Sequence, residues 1–158
     1  MNEIILRPKI SQWIISIFPV VVMMLCVWVA TFFVSVPYMD EVMFLLFVVF
    51  FIYLVYSYFE MLIFRKWTIT EKNIKLEHGV FFRQAEFLEV YRIVDFKEQQ
   101  SFLQMVFGIK TVIIFSEDKT TPRLPVFGIG KRYDLIGVLA PIVKEQRKEN
   151  RIYEIANR

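Results

Sequence analysis

The chain has 158 residues, of which 56% are hydrophobic, 22% charged and 17% aromatic. Soluble domains are about 45–50% apolar, so part of this chain belongs outside a soluble core, and its aromatic content excludes disorder. One Cys excludes a disulfide framework and a Cys-based zinc site, one His leaves little imidazole chemistry, and a net charge of +3 is too small to indicate nucleic acid.

Residues 13–36 form a run of 24 without a charge. As a helix that run is about 36 Å long, enough to cross a hydrocarbon layer of ~30 Å. Pro37, Tyr38, Met39, Asp40 and Glu41 interrupt it, and residues 42–64 then form a second apolar run with Glu60 its only charge. Two spans joined so closely predict an antiparallel transmembrane hairpin. The first run exceeds the roughly 7–15 apolar residues of a signal peptide and lacks a small-x-small site, so both spans are expected to be retained. Pro19 is expected to bend the first span, and Cys26 reads as an apolar filler.

Arg7 and Lys9 precede the first span, Arg65 and Lys66 follow the second, and Asp40 and Glu41 lie between them. The positive-inside rule then places both termini in the cytoplasm and makes this a multi-pass protein of the cytoplasmic (inner) membrane. Residues 65–158 hold 17 Lys and Arg against 12 Asp and Glu, a net +5 suited to an anionic leaflet. Glu60 falls about one turn from the inner interface, where pairing with Arg65 or a lipid headgroup accounts for it.

The period changes after residue 66. Residues 67–70 read as a short strand, 71–73 as a polar turn, and 74–78 alternate with period two before Gly79. Strands are predicted around 85–90 and 92–96, a helical turn over 101–107 ending at Gly108, and a β-branched strand over 111–116. Residues 123–127 form a weaker strand, which Pro125 confines to an edge or a bulge. A C-terminal helix is expected over roughly 133–151, capped by Asp134, with Leu135, Leu139, Ile142 and Val143 as its apolar stripe. The ring of Pro141 is expected to crowd the Gly137 carbonyl four residues back, and the missing Gly137 side chain to make room for a kink. The division is therefore residues 1–64, an N-terminal cytoplasmic segment and hairpin, and residues 65–158, a cytoplasmic domain held close to the bilayer.

Trp67-Thr68-Ile69-Thr70, Gly79, Tyr91-Arg92-Ile93-Val94-Asp95-Phe96, Gln100-Ser101, Val106-Phe107-Gly108 and Thr111-Val112 occur in that order. The series resembles the second bacterial pleckstrin-homology-like (PH-like) domain family over about residues 65–148. Met105 stands where an Arg is frequent in the family and Lys110 where a Gly is frequent, so the contacts of that Arg do not carry over. The resemblance implies a mainly antiparallel β PH-like barrel of about six or seven strands, closed by the C-terminal helix and preceded by the two-helix transmembrane hairpin. It implies no reaction, and Trp67, Gly79, Arg92, Ile93, Gln100, Ser101 and Gly108 are motif positions with structural readings. Ser101 is placed to cap the helical turn, and Gly108 to stop it in a left-handed conformation.

No catalytic motif is present. The segment Gly128-Ile129-Gly130-Lys131-Arg132 lacks the first Gly and the final Ser or Thr of a phosphate loop and reads as a turn. His78 has no second His or Cys for a metal, and Glu86 and Glu89 point to opposite faces of a strand. No cofactor, metal or small-molecule substrate is expected, and the chain is not expected to be an enzyme. The first functional reading is a membrane-anchored interaction or scaffold module for a protein partner or a homo-oligomer, with Phe81, Phe82, Phe87 and Phe127 as contact candidates. The alternative is binding of anionic lipid headgroups by Arg65, Lys66, Lys72, Lys75, Lys144, Arg147 and Lys148. Transport is disfavoured, because neither span carries a charge in its middle.

Overall fold

The computed structural model describes residues 3–33 and 37–156, with side chains as far as residue 150. Residues 34–36, the expected end of the first span, and the Arg151 side chain lie outside that description. Two apolar helices, α1 (Ile10–Ala30) and α2 (Met39–Tyr58), run antiparallel, and Trp13 Nε1 donates to Ser57 Oγ at 3.0 Å across them. Asp40 and Glu41 occupy the first turn of α2, where the helix dipole favours carboxylates. Both Pro19 in α1 and Pro141 further on lie inside helices that continue on either side.

A wider π-type turn, Phe59–Phe64, extends α2. Its winding brings residues five apart into line. The Arg65 amide donates to the Glu60 carbonyl at 3.1 Å, and the Arg65 guanidinium pairs with the Glu60 carboxylate. Pairing of Glu60 with Arg65, one of its two expected roles, is thus built by the backbone.

The first strand comes from ahead of the hairpin. β1 (Ile4–Leu6) pairs antiparallel with β2 (Lys66–Ile69), Ile4 opposite Ile69 and Leu6 opposite Trp67. β3 (Asn73–His78) and β4 (Gln84–Glu89) complete a sheet in the order β1-β2-β3-β4. A short 3-10 turn, Val90–Arg92, pinned by Val90 N–H to the Lys72 carbonyl at 2.9 Å, carries the chain into a second sheet. That sheet is β5 (Ile93–Gln99), β6 (Ile109–Ser116) and β7 (Arg123–Gly130), with α3 (Phe102–Val106) between β5 and β6. Arg92 therefore ends the turn instead of starting a strand.

Among the described residues no ladder joins β4 to β5 or β1 to β7, so the strands form two sheets of four and three and not one closed barrel. Pro125 lies opposite Ile113 in β7, an edge strand, as the missing N–H requires. β7 also continues through Gly128 and Gly130, which were expected in a turn.

The strand alternation turns Trp67, Ile69, Ile74 and Leu88 inward from the first sheet, and Val112, Ile114, Leu124 and Val126 from the second. α4 (Leu135–Ala156) closes this core with Leu135, Leu139, Ile142 and Val143, the stripe expected from the sequence. Each large side chain so buried contributes about 1.5–3 kcal/mol. Asp134 Oδ1 caps α4 by accepting from the Gly137 amide at 2.9 Å. A Cβ on residue 137 would lie 2.3 Å from Asp134 Oδ2, so the Gly137 space serves the cap.

Candidate functional site

The antiparallel order sorts the connections between two ends of the domain. At the helix end lie the β1–α1 connection, Arg65, the β3–β4 loop, α3 and the β7–α4 turn. At the far end lie the β2–β3 and β6–β7 turns and the 3-10 turn.

Three of the contacts that join the helices to the sheets fix the start of α1. The β1–β2 ladder is the first. In the second, Gly128, at φ +72°, lies against the start of α1: a Cβ there would be 2.9 Å from Gln12 Cβ and 3.1 Å from Pro8 Cα. The Lys9 amide donates to the Gly128 carbonyl at 3.1 Å. In the third, Gln104 Nε2 donates to Gln12 Oε1 at 2.8 Å and to Thr111 Oγ1 at 2.9 Å, tying α1 to α3 and β6.

The motif residues build local structure, and several build this end. Ser101 caps α3 in a reciprocal capping box: its Oγ accepts from the Gln104 amide at 3.3 Å, and Gln104 Oε1 accepts from the Ser101 amide at 3.0 Å. Gln100 Nε2 donates to the Ile109 carbonyl at 2.6 Å. Gly108 follows α3 at φ +63°, the left-handed stop expected of it, and Gly79 opens the β3–β4 loop at φ +101°. Trp67 and Ile93 are fully buried. At the far end Arg92 pairs with Glu89 at 2.7 Å and Asp118 at 3.5 Å.

The basic candidates are scattered. Arg65 pairs with Glu60 and lies over the Phe127 ring at 5.0 Å. Lys66 and Lys75 grip Glu77 at 2.7 and 2.8 Å, and these hydrogen bonds, from Lys66 above all, hold its carboxyl below the usual range. Lys72 is in the far-end turn. Lys144, Arg147 and Lys148 line a hollow with Phe96 and Val143, and the Arg147 guanidinium donates to the Ile93 carbonyl at the far end of β5.

The aromatic candidates also divide. Phe127 packs edge-on against Trp67 at 5.1 Å and lies half-buried beside the core, at the register shift where the alternation that turns Leu124 and Val126 inward is interrupted. Phe87 is exposed on β4 with Lys75 above its ring. Phe81 and Phe82, 82% and 85% exposed, form the β3–β4 tip. Phe81 stacks on Tyr56 of α2 at 6.1 Å, and the Arg83 guanidinium lies over Phe64.

Beside the helix end is a cleft of ≈ 660 Å³ between the β1–α1 connection and the β7–α4 turn. Arg7, Lys9, Lys131 and Arg132 line it, and no acidic residue does. Sequence reasoning missed this grouping: it used Arg7 and Lys9 only for orientation and set aside Lys131 and Arg132 with the failed phosphate loop. The separation of 122 residues between Lys9 and Lys131 hides the grouping. Of chemistry-bearing clusters, the described residues contain no group of three or more His, Cys, Asp or Glu able to hold a metal. His78 and Glu86 face each other at 3.5 Å.

Neither the curated proteins nor the solved structures contain a match to the chain. A family profile described as the bacterial PH domain matches residues 13–136, from the first turns of α1 to the start of α4. That match takes in nearly all of the apolar hairpin, strands β2 to β7 and the motif series but not β1, and the chain belongs to the bacterial PH domain family.

Proposed function

We propose that the protein is a non-catalytic, membrane-anchored interaction module, with its hairpin across the cytoplasmic membrane, both termini in the cytoplasm and its sheets held on the inner face. The observation that carries this reading is the pairing of Ile4–Leu6 with Lys66–Ile69 across the hairpin. Two connections, Arg7-Pro8-Lys9 and Arg65, leave one sheet to enter helices of 21 and 26 residues with mean hydropathy 2.5 and 2.4, neither buried by the protein. Such helices need an apolar medium. The domain is consequently held in one orientation, and β4 and β5 are left as open edges to which a protein partner or a second copy can add.

The mass and composition of the full-length protein's complex, extracted from native membranes in mild detergent, test the reading. A defined particle larger than one chain is expected, and Phe87→Glu on β4 should release its components. A monomer would overturn the interaction role. Loss of the protein from membranes washed with alkaline carbonate would overturn the anchoring.

The headgroup alternative loses support where it relied on Arg65, Lys66 and Lys75, which are neutralised by Glu60 and Glu77. Lys72 stands in the far-end turn, and Lys144, Arg147 and Lys148 line the hollow along α4 beside Phe96, with Arg147 reaching the far end of β5.

A further inference from the structure

We infer that the cleft between the β1–α1 connection and the β7–α4 turn binds a phosphate group, and that the phosphate is carried by an anionic lipid headgroup. The inference rests on the anchoring proposed above, which sets the cleft at the membrane surface.

Four cations converge here from opposite ends of the chain. Arg7 and Lys9 flank Pro8, which is buried against Gly128, and the Lys9 amide is fixed to the Gly128 carbonyl. That anchorage orders the two side chains' backbone on one wall. Lys131 and Arg132 are the central residues of a tight turn closed by the Tyr133 amide on the Gly130 carbonyl at 2.9 Å. The Lys131 amide is itself held by the Gly108 carbonyl at 2.9 Å, which fixes the second wall. A Cβ on residue 130 would come within 2.9 Å of Lys9 Nζ, so the glycine lets that ammonium lie across to the turn.

The charge is unbalanced. Arg65, Lys66, Lys75, Arg92 and Lys110 each have a carboxylate within 4.0 Å. Arg7, Lys9, Lys131 and Arg132, like Lys72, Arg83, Lys144, Arg147 and Lys148, have none among the described residues, and these four line a single cleft. Four cations gathered without a counter-charge repel one another, and an anion between them relieves that repulsion. The lining also includes Trp67, whose buried Nε1–H has no partner, an unmet donor that buried indoles seldom show.

Position selects the source of the phosphate. Arg7 and Lys9 immediately precede α1, so an anchored hairpin sets them at headgroup depth, where each cation near an anionic surface adds about 1 kcal/mol. The cations of the cleft are exposed, and its apolar lining, Ile5 and Phe127 among it, suits the glycerol end of a lipid better than a hydrated free ion.

The test uses the full-length protein in mild detergent, with dihexanoyl phosphatidylglycerol, dihexanoyl phosphatidylcholine and inorganic phosphate as probes and native mass spectrometry as the readout. Selective retention of phosphatidylglycerol is expected. It should weaken about thirtyfold in Lys131→Ala/Arg132→Ala, the loss of two such contacts, and less in Arg7→Ala on the facing wall. Lys144→Ala/Lys148→Ala removes the same charge along α4 and should leave binding intact. Equal weakening in both double variants, or equal retention of the two lipids, would overturn the site. Inorganic phosphate displacing the lipid at equal concentration would overturn the lipid source and keep the phosphate chemistry. Carbonate washing of membranes bearing the same variants reads the anchoring alone. Protein that stays in the membrane without selective lipid retention overturns the cleft and spares the anchoring; protein that washes off overturns the reading beneath it.

Discussion

At the far end of the sheets the turns close on themselves. Thr70 Oγ1 donates to the Asn73 carbonyl at 2.8 Å, and Asp118 accepts from the amide and hydroxyl of Thr120 at 2.9 and 2.8 Å. At the helix end the connections present apolar tips instead. Between residues 66 and 150, six of the eight exposed large apolar side chains lie there: Phe81, Phe82, Phe102, Met105, Val106 and Phe107. One fold thus has an end whose polar groups suit water and an end whose tips require something less polar. Local capping is equally complete at both ends, as the Ser101 box shows, so the difference lies in what the turns present.

The comparison breaks most sharply at the β3–β4 tip. Replacing both Phe81 and Phe82 by Asp removes about 3–6 kcal/mol of apolar burial if the tip enters the bilayer interface. In a Cys26→Ser background, a fluorophore on Arg83→Cys should be quenched by brominated lipid, and the double substitution should abolish the quenching. A fluorophore on Lys119→Cys, in the far-end turn, should be insensitive throughout. Equal quenching at both positions would erase the distinction between the ends.

Gly128 and Gly108 give the next effect. Both have positive φ, but a Cβ on Gly108 meets nothing within 4 Å, whereas one on Gly128 strikes Pro8 and Gln12. Gly128→Val should destabilise by about 3 kcal/mol or more, from strain and overpacking together, and Gly108→Ala by about 1–2 kcal/mol from strain alone. Thermal unfolding in detergent measures both, and equal losses would show that the approach of α1 to β7 contributes nothing. Ser101→Ala, which opens the capping box, should cost about 1 kcal/mol in the same measurement.

The smallest effect is expected with pH. Glu77 titrates below the usual carboxylate range because Lys66 and Lys75 donate to it. A carboxylate depressed by folding adds stability above its ordinary range, and this is lost as pH falls through the depressed value. Glu77→Gln should therefore flatten the acid side of the stability profile and leave the alkaline side parallel. An unchanged acid slope would show that the two Lys contacts are worth nothing in solution.

Much of the fold is legible because its signals are local. Leu135, Leu139, Ile142 and Val143 repeat at helical spacing and all reach the core. Ser101 three residues before Gln104 spells a capping box, and Pro125 identifies an edge strand. β1 is illegible for the opposite reason. Three residues, Ile4 to Leu6, carry no period to read, and their partner strand is more than sixty residues away. The basic cleft is hidden in the same way, since neither Arg7 with Lys9 nor Lys131 with Arg132 is unusual alone.

By itself the sequence determined two apolar helices, the strand succession after them and the closing helix, because hydrophobic period, turn residues and caps act over a few neighbours. Only the tertiary structure decided that the hairpin is inserted between the first two strands, that the strands part into two sheets, and which cations keep a counter-charge. Those outcomes depend on which distant segments meet. Backbone pairing of β1 with β2, and the bare surface of Gly128 under Pro8 and Gln12, bring together residues that no local pattern relates.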